Sequence, residues 1–324
     1  MHLISFLKRG LFIAFLMVAV STSGYCQSTP QKANQLNIPD SDLTIHFKWQ
    51  GDTTAIGFEP YAVLLIPVKL PHCAKQFYMQ FDLGAPQSVM YSGKIAAIHN
   101  KYPKSVGRQD STKLISQQLI ISNTTLSTAS IAIKAFGNNN INWTDKNSVE
   151  VIGTIGVDFL QDKCITFNYP KSTIYLTAQL PQAFEEKTTL TNFMLVQNSI
   201  LLPVTLQGKR TMLFFDTGSS AFELLTSKQI CLSLAKPGTQ PKQYEVSSWG
   251  RMLTANVYAT NDSLIIAGQK LPIKRATYME GASDSQADRM MKLGMGGMTG
   301  NKLFINSVLF INMKAKKFGV ISNP

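Results

Sequence analysis

Histidine and cysteine are scarce in this 324-residue chain, four of each. His2, His46, His72 and His99 are scattered, so neither a histidine metal site nor a Ser-His-Asp set is suggested. Cys73, Cys164 and Cys231 form an odd set without metal-ligand spacing, each among apolar neighbours. That context favours small buried hydrophobes, although one disulfide beside a free thiol stays open. Acidic residues are also few, 19 against 31 Lys and Arg, which gives a formal charge of +12. The basic clusters Lys274-Arg275 and Lys314-Ala315-Lys316-Lys317 have no interleaved aromatics, so nucleic acid is not the expected partner. The excess charge instead biases the protein toward anionic surfaces or acidic partners. With 44% apolar and 15% charged residues, the chain is globular and long enough for two cores.

Membrane-length apolar runs are lacking too. The stretch from Leu11 to Val20 follows Lys8 and Arg9 and precedes small polar residues. It is short for a span, and its flanks are those of a secretory signal covering residues 1–26. Cleavage before Gln27 would use Gly24 and Cys26 as the small residues and leave a charge of +10, since 1–26 contain no acid. The expectation is a secreted, periplasmic or cell-envelope protein with no stable span after cleavage; an N-terminal anchor is the alternative. Lipid attachment at Cys26 is disfavoured by the bulky Tyr25 before it. Residues 27–45 read as a linker.

Beyond the signal, runs rich in Val, Ile, Thr, Phe and Tyr alternate with Asn, Gly, Ser and Pro, a mostly β pattern. Short helices are expected only near 92–99 and 227–232. The chain is also written twice. IPVKLPHCAKQFYMQFDLGAPQSVMY (66–91) matches LPVTLQGKRTMLFFDTGSSAFELL (202–225), with Pro67 fifteen residues before Asp82 and Pro203 thirteen before Asp216. GTIGVDFLQDKCITFNYPKSTIYL (153–176) matches GMTGNKLFINSVLFINMKAKKFGV (297–320) without a gap, at a constant offset of 144. Two related lobes follow, 46–178 and 193–324, joined by a polar connector at 179–192. The repeat makes Asp82 the partner of Asp216.

The apolar-Asp-Thr-Gly-Ser motif at 215–219, with a later apolar-Gly segment, resembles the pepsin and retropepsin group of aspartic proteases. The matching parts run from about Ala62 to Ile321. The resemblance implies a mostly β fold of two related β-rich lobes with an interlobe cleft, in which a second Gly-containing strand threads past each Asp loop. It further implies an aspartic endopeptidase in which Asp82 and Asp216 activate water between them, supported by Gly84, Thr217, Gly218 and Ser219. Two carboxylates roughly 3 Å apart cannot both ionise easily, so they share a proton and supply both acid and base. Gly84 and Gly218 would let the backbone turn tightly beneath each acid. No metal or cofactor is required; a polypeptide is the substrate and a monomer the expected state.

The first lobe departs from the motif, reading Asp82-Leu83-Gly84-Ala85-Pro86. In the family, the Thr hydroxyl locks the two loops together and the Ser bonds the outer carboxylate oxygen. Leu83 removes half of the lock and leaves Thr217 needing another partner. This motivates a rival reading, a catalytically inactive protein that binds peptides or glycans in its cleft. Two copies pairing through their second lobes is a third arrangement. The resemblance calls for covering flaps, from 113–136 and from 244–259; Trp249 and Tyr258 could face the cleft, but an ordinary hairpin with surface aromatics is the favoured reading. Asp158 and Asp162 are given no role. GMGGMTG lacks phosphate-loop spacing and reads as strand packing, while Met290, Met291, Met295 and Met298 read as core and loop. The sequons at Asn123, Asn142 and Asn261 carry glycan only in a host that makes it.

Overall fold

The computed structural model describes residues 36–110, 112–248, 251–281 and 295–322. The signal segment, Trp249, Met290 and Met291 lie outside the described residues. No helix of the described residues is long and apolar enough to cross a membrane. The chain is mostly β, in two related β-rich lobes.

The first-lobe sheet has eight strands, in the order Lys48–Thr54, Gly57–Val68, Phe77–Phe81, Val151–Ile155, Val89–Tyr91, Ser130–Lys134, Lys113–Ile115, Arg108–Asp110. The second-lobe sheet has ten and repeats that plan. Val151–Ile155 runs parallel to Phe77–Phe81 and antiparallel to Val89–Tyr91. Met295–Thr299 is likewise parallel to Lys209–Phe215 and antiparallel to Leu224–Leu225. Each inserted strand carries the repeat's glycines because its neighbours leave no room. A Cβ on Gly153 would strike the Val89 carbonyl, and one on Gly297 the Leu225 carbonyl.

A third sheet joins the lobes. Its six strands run Thr191–Asn192, Lys317–Ser322, Ser307–Asn312, Cys164–Asn168, Thr173–Thr177, Leu43–His46. The two central strands, CITFN and SVLFIN, are mainly apolar and buried almost throughout. They pair antiparallel, and Thr166 faces Phe310. Since 310 − 166 = 144, that pair joins a residue to its own repeat counterpart. The axis relating the lobes therefore passes through it.

Three readings need correction. Part of the segment assigned to a linker is paired sheet: Leu36–Asn37 pairs with Thr124–Thr128, and Leu43–His46 with Thr173–Thr177. Its apolar residues explain this, since Leu36, Leu43 and Ile45 are all buried. Residues 113–136 do not form one flap hairpin but four short strands, because Ser116, Ser122 and Asn123 take positive φ and break the run. The first-lobe hairpin at the corresponding place is 108–115, with three-residue arms. Tyr258 packs beside Tyr278, ring centroids 6.4 Å apart, in the main core rather than in the second cluster that lies beside the site. Two helices fall where expected, at Ser92–Lys101 and Lys228–Leu234, while a third of four residues, Gln182–Glu185, lies in the connector, where none was expected. Cys73, Cys164 and Cys231 are free and buried.

Under the two Asp loops lies an aromatic floor. Phe81 and Phe215, the residues before each Asp, both pack on Phe167 at centroid distances of 5.8 and 6.2 Å. Phe167 also stacks on Tyr169, and Phe215 meets Phe304 edge-on. Phe167→Ala would leave a cavity shared by both lobes, with an expected loss of about 3–5 kcal/mol. A fall in the urea midpoint at unchanged slope is the measurement that checks it.

Candidate active site

Asp82 and Asp216 end the strands Phe77–Phe81 and Lys209–Phe215, the innermost strands of their lobes. Their backbone amides are fixed by the inserted strands: Asp82 N donates to Ile155 O and Asp216 N to Thr299 O, both at 2.9 Å. The two acids, 134 residues apart in sequence, meet at the lobe junction, each carboxylate lying against the glycine of the opposite loop. Both are buried, Asp82 3% exposed and Asp216 0%.

The supporting residues predicted from sequence lie around them. Gly84 N and Ala85 N donate to Asp82 Oδ1 at 2.9 and 3.1 Å. Gly218 N donates to Asp216 Oδ1 and the Ser219 hydroxyl to Asp216 Oδ2, both at 2.8 Å. Each glycine also faces the opposite acid. A Cβ on Gly218 would stand 2.5 Å from Asp82 Cγ, and one on Gly84 would collide with the Asp216 carboxylate. Glycine is required here for close approach as much as for turning.

Thr217 is fully satisfied, which corrects the expectation raised by Leu83. Its hydroxyl donates to Phe81 O at 2.9 Å and accepts from Leu83 N at 2.8 Å. The first loop thus answers with its backbone, which no side-chain substitution removes. The Leu83 side chain is buried in the main core.

Burial pushes both acids up, and neighbours separate them. Asp82 is held well above the usual carboxylate range by burial, then by the Asp216 charge, then by the hydrogen bond to Asp216. Asp216 is raised by burial but drawn back by the Ser219 hydroxyl and by its bond to Asp82. Two raised carboxyls this close titrate together, so the pair holds one proton and one charge between them.

No family model matches the chain, and no curated protein does. Among solved structures, it resembles an aspartic proteinase from Irpex lacteus, at 10% identity. That match covers 87% of this chain and 97% of the other, with a TM-score of 0.46.

Sequence reasoning missed three polar braces. Asn301, wholly buried, donates to Thr217 O and Ser220 Oγ at 3.0 Å and accepts from Tyr169 O–H at 2.7 Å. Its repeat counterpart is Val157, so comparing the lobes could not flag it. Ser220 reaches across the junction, its hydroxyl donating to Tyr61 O at 2.7 Å. Asp158, given no role above, braces the first loop by accepting from Ser88 N and Ser88 Oγ at 2.8 and 2.7 Å. An acid preceding an apolar Phe-Leu pair gave no sign of this; the signal was Ser88 itself, an isolated polar residue before a buried strand.

One difference between the two acid environments lies at Ala85 against Ser219, since only Asp216 accepts a side-chain hydroxyl. Ala85→Ser would give the Asp82 carboxylate the hydroxyl that Asp216 already has. Hydrogen bonding to the ionised form lowers proton affinity, so Asp82 should release its proton at lower pH. The alkaline limb of any activity that needs this proton is expected to move to lower pH. A pH profile of kcat/KM for parent and variant checks the sign.

Proposed function

We propose that the protein is an exported aspartic endopeptidase in which Asp82 and Asp216 hydrolyse peptide bonds. The observation that carries this reading is the pair itself: two buried carboxyls brought together at the lobe junction, each facing the other loop's glycine. Such a pair supplies a base and an acid at one place. Ionised Asp216 would take a proton from a water as its oxygen attacks the carbonyl carbon, while Asp82 gives its proton to the carbonyl oxygen. Collapse of the tetrahedral intermediate then breaks the C–N bond. The leaving nitrogen receives the proton from Asp216, and the hydroxyl proton returns to Asp82, which restores the starting state.

Leu83, which had motivated a non-catalytic binding protein, lends that alternative no support once its backbone completes the Thr217 lock. The test is cleavage of a denatured protein by the chain lacking residues 1–26, from acid to neutral pH, with Asp216→Asn as the blank. Activity confined to the parent supports the reading; its absence from a folded parent at every pH refutes it. Export itself is tested by N-terminal sequencing of the mature protein, with Gln27 expected first.

A further inference from the structure

The first-lobe hairpin Lys48–Thr54 and Gly57–Val68 is longer than the repeat requires. Setting Pro67 on Pro203 places Val63 on Ser199, where the strand Ser199–Leu206 begins. The first-lobe strand begins at Gly57, six residues earlier (63 − 57). Its second-lobe counterpart instead turns back at once through Gln197 and Asn198, both at positive φ.

Those extra residues cross onto the second lobe and lie beside its half of the active site. Ile56, Ala62 and Val63 pack with Phe214 and Phe222, which flank the second Asp loop. In the same cluster are Val246, Leu253 and Ala255, on the inner face of the hairpin Lys242–Ser248 and Arg251–Ala259. The Tyr61 carbonyl takes the Ser220 hydroxyl, as the backbone of an extended peptide would. Glu59 is buried and fastens the extension: its carboxylate pairs with the Lys302 ammonium and has Arg275 Nη1 at 3.7 Å. Lys302 is itself tied to the Asp loop, its amide donating to Ser220 O at 3.0 Å. The acids reflect the asymmetry, since Asp82 on the first lobe keeps 3% exposure and Asp216 has none.

An extended peptide bound across a twofold cleft lays one half of its backbone along each lobe. We propose that residues 57–62 fill the second-lobe half, so that a polypeptide engages the first-lobe half alone and is cut close to one of its ends. This rests on the aspartic-peptidase reading above and narrows it, from cleavage anywhere in a chain to cleavage near a chain end. The reaction is unchanged, one water added across one amide bond; what changes is which bonds can reach it. Glu59, Ala62 and Tyr61 then set specificity by excluding chain rather than by recognising it.

The test uses a random peptide library prepared with free ends, with either end blocked, and with both blocked, and products are sized by mass spectrometry. The parent should release short terminal fragments from free-ended peptides and leave doubly blocked ones intact; singly blocked sets show which end is used. Replacing residues 52–61 by an Asn-Gly turn, or the milder Glu59→Gln should the first fail to fold, is expected to open the cleft. Internal cleavage of doubly blocked peptides should then rise by about tenfold or more. Parent cleavage of doubly blocked peptides at the free-ended rate overturns the inference and leaves the peptidase reading standing. No gain in either folded variant also overturns it. Absence of all cleavage by every form overturns both.

Discussion

Asp82→Asn is expected to yield a protein that is inactive yet more stable than the parent at neutral pH. The activity loss follows from removing one carboxyl of the proton-sharing pair, and a fall of about 10²- to 10⁴-fold is the ordinary size for a displaced acid–base group. The stability gain follows from linkage. Asp82 has a folded-state pKa raised well above its ordinary value of 3.8. The folded state therefore binds the proton more tightly than the unfolded chain. Stability from this group is complete below the unfolded pKa and is lost as pH rises through the folded one. An amide cannot ionise, so the variant escapes that loss, and each tenfold of excess proton affinity is worth about 1.4 kcal/mol. Melting temperatures of the two proteins should converge near pH 4 and diverge upward from it. Asp216→Asn should show a smaller gain, because the Ser219 hydroxyl and the bond to Asp82 already draw that acid down. A variant less stable than the parent at neutral pH, or a difference independent of pH, would refute the raised folded-state pKa of Asp82.

Thr217→Val should do the opposite and damage both stability and activity. The replacement keeps the shape but removes the hydroxyl that donates to Phe81 O and accepts from Leu83 N. Two backbone groups of the first Asp loop would be left buried and unpaired, each costing about 1–3 kcal/mol. In a protein whose second half of the lock is already Leu83, no side chain of the partner loop replaces what is lost. The expected result is a drop of about 2–5 kcal/mol in unfolding free energy, read from the urea midpoint. The parent's hydroxyl cross-link should also show as amide protection at Leu83, lost in the variant. A change below about 1 kcal/mol would mean that water replaces the hydroxyl and the lock is not structural.

Much of this was legible because the sequence is duplicated. Asp82 was recoverable only as the counterpart of Asp216; its own surroundings, Leu83 and Ala85, would not have identified it. Both inserted strands were likewise visible in their glycines, whose spacing survives because backbone from a neighbouring strand occupies the Cβ position. What stayed hidden has a common physical cause. Asn301, Ser220 and Asp158 act through hydrogen bonds to partners on other segments, and no period of 2 or 3.6 residues records such a bond. The reach of Gly57–Ala62 onto the other lobe was invisible for a different reason. A longer hairpin differs from a shorter one only in length, and its destination depends on how two lobes are set together. The 36–45 segment was misassigned because its Asn, Pro, Asp and Ser residues outweigh three apolar side chains that decide its pairing.

The contact of Thr166 with Phe310 carries a consequence for the whole architecture. In an assembly of two identical chains, a residue on the symmetry axis must meet itself. Two threonines there would leave a void, and two phenylalanines would compete for one space. A single chain escapes that rule, because each side of the axis is encoded separately and a small side chain can be set against a large one. The same freedom from self-matching is what permits Leu83 opposite Thr217, Ala85 opposite Ser219, and one long hairpin opposite one short. Encoding both lobes in one polypeptide thus leaves the two sides of the site independently variable, down to the side-chain hydroxyl that Asp216 accepts and Asp82 lacks.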